Sequence, residues 1–163
     1  MLDLQDDRKQ NIRSNKKTGA ALMFIILLIF VKIIATEFGD NKIDDILSNK
    51  EDADKIASYL KNELSKKKFP IKVDDYTTWI AATVEGNTLN HYYNIYGINE
   101  DMSPFFDGEE IKNLMSLEIQ KKLNSGECKM MQEYNYTFKY HYNIINTKYN
   151  DLVIIMTKSN CPQ

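Results

Sequence analysis

Residues 134–144 read Tyr-Asn-Tyr-Thr-Phe-Lys-Tyr-His-Tyr-Asn-Ile. Tyr134, Tyr136, Phe138, Tyr140, Tyr142 and Ile144 alternate without error with Asn135, Thr137, Lys139, His141 and Asn143. Side chains of a strand point to opposite faces with a period of two, so this stretch predicts a β-strand with one aromatic face and one polar face. An aromatic face of that size must be covered, and the covering elements have to come from the rest of the chain.

Downstream, Asn146–Asp151 has turn chemistry, and Leu152–Thr157 (LVIIMT) predicts a last strand buried on both faces. Upstream, Ile111, Leu114, Met115, Ile119 and Leu123 fall on one helical stripe. Asp107-Gly108-Glu109-Glu110 resembles a capping box at its start, and Gly126 is placed to stop it. Before a loop at 97–106, Val73–Val84 and Thr88–Tyr96 have strand composition around the turn residues Glu85-Gly86-Asn87, which predicts a hairpin. Leu89, His91, Tyr93 and Ile95 share one face of its second strand. A further amphipathic helix runs from Glu51 through Ala53, Ile56, Ala57, Leu60 and Leu64 and stops before Pro70. Lys66–Lys68 reads as a solvated helix end. The expected order is helix-strand-strand twice. It predicts an α+β domain over 51–163, with a four-stranded antiparallel sheet and two helices on one face. The free edges of such hairpins are docking surfaces in waiting.

The start of the chain is different. Residues 1–17 carry five Lys/Arg against three Asp, and Ala20–Val31 is an unbroken apolar run. Counted over 18–36, the stretch makes about 28 Å of helix, enough to cross a bilayer, with Lys32 able to snorkel. Ile33-Ile34-Ala35 is a poor cleavage site, and no Cys follows to make a lipoprotein signal, so an uncleaved anchor is favoured over a signal peptide. Basic residues before the span and acidic ones after it predict a cytoplasmic leader at 1–17, a transmembrane anchor at 18–36, a linker at 37–50 and a domain exported across the inner membrane to the periplasm.

Cys128 and Cys161 are the two cysteines, and in an oxidising compartment they have one pairing open to them. Overall the chain has 163 residues, 43% apolar and 27% charged, with net charge -2, a composition that argues for a folded domain and against disorder. The exported part carries 15 Lys against 20 Asp/Glu, so bulk charge offers nothing to nucleic acid. No phosphate-loop, dinucleotide, metalloprotease or hydrolase motif occurs, and the reading is non-catalytic, with no cofactor.

Taken together, Val73-Asp74-Asp75-Tyr76-Thr77-Thr78, Glu85-Gly86-Asn87-Thr88-Leu89, and the run from Cys128 through Tyr136, Phe138 and Tyr140 to Cys161 resemble a group of small exported bacterial proteins of unknown function. More loosely, the order is similar to the β-type pilotins of type II secretion, which are lipoproteins. The resemblance implies an αββαββ domain tied by a disulfide, and it implies no activity.

The expected role is a membrane-anchored module that binds another envelope protein, as an accessory of an envelope or secretion assembly. Glu85, Gly86, Asn87, Thr88 and Leu89 are the expected contact. Two alternatives stand beside it. One is a membrane-held immunity protein against a periplasmic toxin. The other is an envelope enzyme with a site around His91.

Overall fold

The computed structural model describes residues 53–98, 108–147 and 151–162. The leader, the apolar stretch, the linker and Asp107 lie outside them. Among the described residues no helix is long and apolar enough to cross a membrane.

The chain forms helix α1 (Ala53–Ser65), strands β1 (Ile71–Lys72), β2 (Thr77–Glu85) and β3 (Thr88–Ile95), and helices α2 (Gly108–Gln120) and α3 (Ser125–Tyr134). It ends in strands β4 (Thr137–Ile144) and β5 (Leu152–Met156) and a short 3₁₀ turn, Lys158–Asn160. This is an α+β domain with five strands in the order β1-β2-β3-β4-β5. The expected sheet of four antiparallel strands is corrected at its centre. β3 and β4 run parallel, from Thr88 beside Thr137 to Ile95 beside Ile144, and every other pairing is antiparallel. Both hairpins are present, but α2 and α3 lie between them in the chain and return it to the end where β3 began, so β4 leaves in the direction of β3. Residue alternation sets which face a side chain takes. It says nothing about which strand lies alongside.

Three boundaries also differ from expectation. Val73–Tyr76 is a turn and not strand: the Asp74 carboxylate accepts from the backbone N–H groups of Tyr76 and Thr77, both at 2.8 Å, and the two-residue β1 pairs back on β2. Gly126 stops nothing. It lies in α3, whose first turn is closed by a reciprocal cap in which Asn124 Oδ1 accepts from the Glu127 backbone at 2.7 Å and Glu127 Oε2 accepts from the Asn124 backbone at 3.0 Å. Helix α3 then runs to Tyr134 and is stopped by Asn135, at φ 56° in the left-handed region, so strand geometry starts at Thr137. Strand β5 is buried on one face only, and Ile155 is 51% exposed. An apolar run therefore occupies an edge.

One face of the sheet is the core. Leu89, His91, Tyr93 and Ile95 of β3 lie beside Phe138, Tyr140, Tyr142 and Ile144 of β4, and all eight are buried. Their rings form a ladder, with His91 on Tyr140 at 5.2 Å and Tyr93 on Tyr142 at 5.2 Å between centroids. Helix α1 covers β2 through Ile56, Leu60 and Leu64, and α2 covers β5 through Ile111, Met115 and Ile119. Lys67 at the end of α1 lies 4.8 Å over the Trp79 ring, and Lys66 pairs with Glu63.

Tyr136 joins α1 to the sheet: its hydroxyl donates to the Ala53 carbonyl at 3.1 Å. Burial first, and then the Asp54 carboxylate, push its pKa up to about 12. The folded state thus holds this proton more tightly than the unfolded chain, whose tyrosines titrate near about 10. The contribution is fully present below about pH 10 and is lost as pH rises towards about 12. Subtracting the pH-stability curve of Tyr136→Phe from that of the parent should isolate that decline. A difference that stays flat from pH 9 to pH 12 would contradict it.

Candidate functional site

The second face of the sheet has no helix packed over it among the described residues, and it carries the features that the alternation alone does not explain. Trp79 and Val84 are both buried although they are five apart on one strand, which regular alternation forbids. The register shows why. Trp79 lies opposite Tyr93 and Ala81 opposite Tyr92, so Ile80 is an extra residue, a β-bulge that reverses the facing of everything after it. Ile80 itself is pushed out to 37% exposure.

Around Ile80 the parallel seam assembles a polar and aromatic cluster. Register places Tyr92 beside His141, with ring centroids 4.6 Å apart and planes 20° from parallel. One step along, Asn143 Nδ2 donates to Asn94 Oδ1 at 3.3 Å, and Asn94 Nδ2 donates to the Tyr96 hydroxyl at 3.3 Å. Asp151 enters β5 with φ 65° and stands 2.9 Å from His141 Nδ1 through Oδ1. Left-handed backbone is tolerated better by Asp than by most residues, and here it turns the carboxylate back over β4. Ile80, Tyr92, Tyr93, His141, Asn143 and Asp151 line an open groove of about 410 Å³.

The groove sets apolar area beside hydrogen-bonding groups. Ile80 and Tyr92 supply apolar area, Asn143 supplies an amide, and Asp151 supplies a carboxylate whose side chain is 68% exposed. His141 donates through Nδ1–H to the Asp151 carboxylate. Its Nε2 is buried and has no hydrogen-bond partner among the described residues, so it is not presented to the groove.

The residues singled out in the sequence go elsewhere. His91 is 2% exposed in the core ladder, between Trp79 at 5.6 Å and Tyr140 at 5.2 Å. Of the expected contact loop, Glu85 and Gly86 are exposed, Gly86 taking the positive φ of 54° that the two-residue turn requires. Asn87 is tied inward, donating through Nδ2 to the Tyr134 carbonyl at 3.0 Å and accepting from the Thr137 N–H at 2.8 Å. Thr88 is half-buried, and Leu89 is fully buried in the core. Cys128 and Cys161 form the disulfide, with Cα atoms 5.6 Å apart, and it fastens α3 to the segment after β5. Among the described residues no group of three or more His, Cys, Asp or Glu is placed to hold a metal ion.

No family model and no curated protein matches the chain. Two solved structures do. A protein of Pseudomonas aeruginosa classed provisionally as secreted superposes with a TM-score of 0.49 at 12% identity, over 68% of this chain and 96% of its own. The type II secretion system pilotin AspS of Vibrio cholerae superposes with a TM-score of 0.40 at 15% identity, over 67% of this chain and 88% of its own. Both are loose similarities.

Proposed function

We propose that this chain is a membrane-anchored, non-catalytic protein-binding module of the bacterial envelope. It is held in the inner membrane by residues 18–36, displays the domain in the periplasm, and serves an envelope or secretion assembly. The uncovered face of the sheet carries the reading, because it combines an outward-turned Ile80, the Tyr92–His141 stack and the Asp151 carboxylate in one groove. The Cys128–Cys161 bridge supports export, since such a pair persists in an oxidising compartment. The inward direction of His141 Nε2 and the burial of His91 support binding over catalysis.

Two experiments test it. The full chain, tagged and isolated from solubilised membranes, should bring down one envelope protein in fixed proportion. Ile80→Lys should release that protein, while Leu117→Lys, at a 53% exposed site on α2, should retain it. Retention by Ile80→Lys would overturn the assignment of the face. Alkaline phosphatase fused after Gln163 should be active, and activity from a β-galactosidase fusion at the same point would overturn the topology.

A further inference from the structure

One triplet of the sequence has no part in the groove. Asn135-Tyr136-Thr137, with Glu133 two residues before it, is the single Asn-x-Ser/Thr sequence in the 163 residues. In an exported protein an asparagine so placed is the acceptor for an oligosaccharide, the hydroxyl two residues on being what the transferring enzyme reads. A carboxylate two residues before it offers a bacterial enzyme of this class an ion-pair contact as well. The fold puts the asparagine where a sugar fits. Asn135 follows the last turn of α3, is exposed, and takes φ 56° and ψ 35°, with its backbone N–H bonded to the Met130 carbonyl. Its amide makes no hydrogen bond among the described residues, whereas Asn87, Asn90, Asn94 and Asn143 commit theirs within the fold. A left-handed cap is served as well by Gly, and it calls for neither Thr137 nor Glu133.

The neighbours of Asn135 decide when the transfer takes place. Tyr136 is 1% exposed with its hydroxyl on the Ala53 carbonyl, and the Thr137 N–H is on the Asn87 carbonyl. An enzyme that must hold all three residues therefore reaches them only before the domain closes, as the chain leaves the membrane. Once the domain has closed, the exposed position of Asn135 keeps the sugar outside the packing. It stands at the hairpin end of the sheet, since Asn87 is bonded to both Tyr134 and Thr137. His141 lies four residues along β4 from Thr137, about 13 Å away. A sugar on Asn135 thus stands beside the Glu85–Asn87 tip and leaves the groove open.

We propose that Asn135 is the acceptor of one N-linked oligosaccharide, attached as the domain is exported; the inference rests on the periplasmic placement in the reading above. Asn135 Nδ2 attacks the anomeric carbon of an oligosaccharide carried on a lipid pyrophosphate. The C–N bond forms as the anomeric C–O bond breaks, the lipid pyrophosphate departs with that electron pair, and Nδ2 gives up one proton. The test expresses the full chain in a bacterium with a membrane oligosaccharyltransferase and its lipid-pyrophosphate oligosaccharide, and in the same bacterium without the transferase. Intact mass should exceed 19.0 kDa by one oligosaccharide in the first host alone, with peptide mapping placing it on Asn135. Asn135→Gly, which suits the left-handed cap, and Thr137→Val should lose the increment, and Thr137→Ser should keep it. Folded chain purified from the second host should resist the same enzyme and donor in detergent, and its modification there would overturn the order of events. An unmodified parent beside a modified control protein, or an increment that survives Asn135→Gly, would overturn the site. With an active alkaline phosphatase fusion that failure leaves the reading above standing, whereas a cytoplasmic domain overturns both.

Discussion

Replacing Cys128 and Cys161 together by serine should lower the stability of the domain by about 3–4 kcal/mol, the chain-entropy value for a link spanning 33 residues. The geometry gives the link more to do than close a loop. Strand β5 is an edge strand held by β4 on one side and by α2 beneath, and the 3₁₀ turn after it leads directly to Cys161, which is itself 8% exposed. Cutting the bridge frees the last segment to fray from α3. Urea unfolding of the parent with and without reductant should reproduce the difference, and the serine variant should be indifferent to reductant. A shift under about 1 kcal/mol would mean that α3 and the C-terminal segment are held together by packing alone.

Phe138→Ala should cost about 3–5 kcal/mol, comparable to the disulfide or larger. Phe138 is 1% exposed, lies beside Leu89 on β3 and Met156 on β5, and faces the His91 ring at 6.5 Å. It therefore fills the space where three strands converge under the helices, and neighbours fixed in a sheet cannot collapse into the cavity. Leu117→Ala, on the exposed face of α2, should stay within about 0.5 kcal/mol. Equal costs for the two would place the core somewhere other than this face.

Much of the architecture could be read from residue order. The alternation over Tyr136–Ile144, the Glu85–Asn87 turn and the apolar stripes at Ile56–Leu64 and Ile111–Ile119 all rest on periodicity, which is local and survives into the fold. The parts that escaped depend on competition between local signals. Asn124 and Glu127 have the spacing of a capping box, but Gly126 between them reads as a terminator, so a whole helix was hidden. Asp74 followed by Asp75 is turn chemistry inside a run of β-formers. The groove was harder still. Its one clue was that Trp79 and Val84 cannot both face inward without an inserted residue, and its remaining members meet only because β3 and β4 run parallel. In the linear order His141 is the polar alternate of an aromatic strand, and nothing there ties it to Tyr92.

That parallel seam also decides how the domain can be divided. Thr88 and Thr137 are joined across 49 intervening steps of chain, whereas each hairpin closes over a few. Neither β1–β3 nor β4–β5 can bury its rings alone, because the half-ladder of β3 finds its other rungs on β4. The costliest loop closure is therefore the step that first makes a dry interior. A fragment ending at Ile98 would retain a turn and lose its inside, so the smallest working piece of this protein includes both halves.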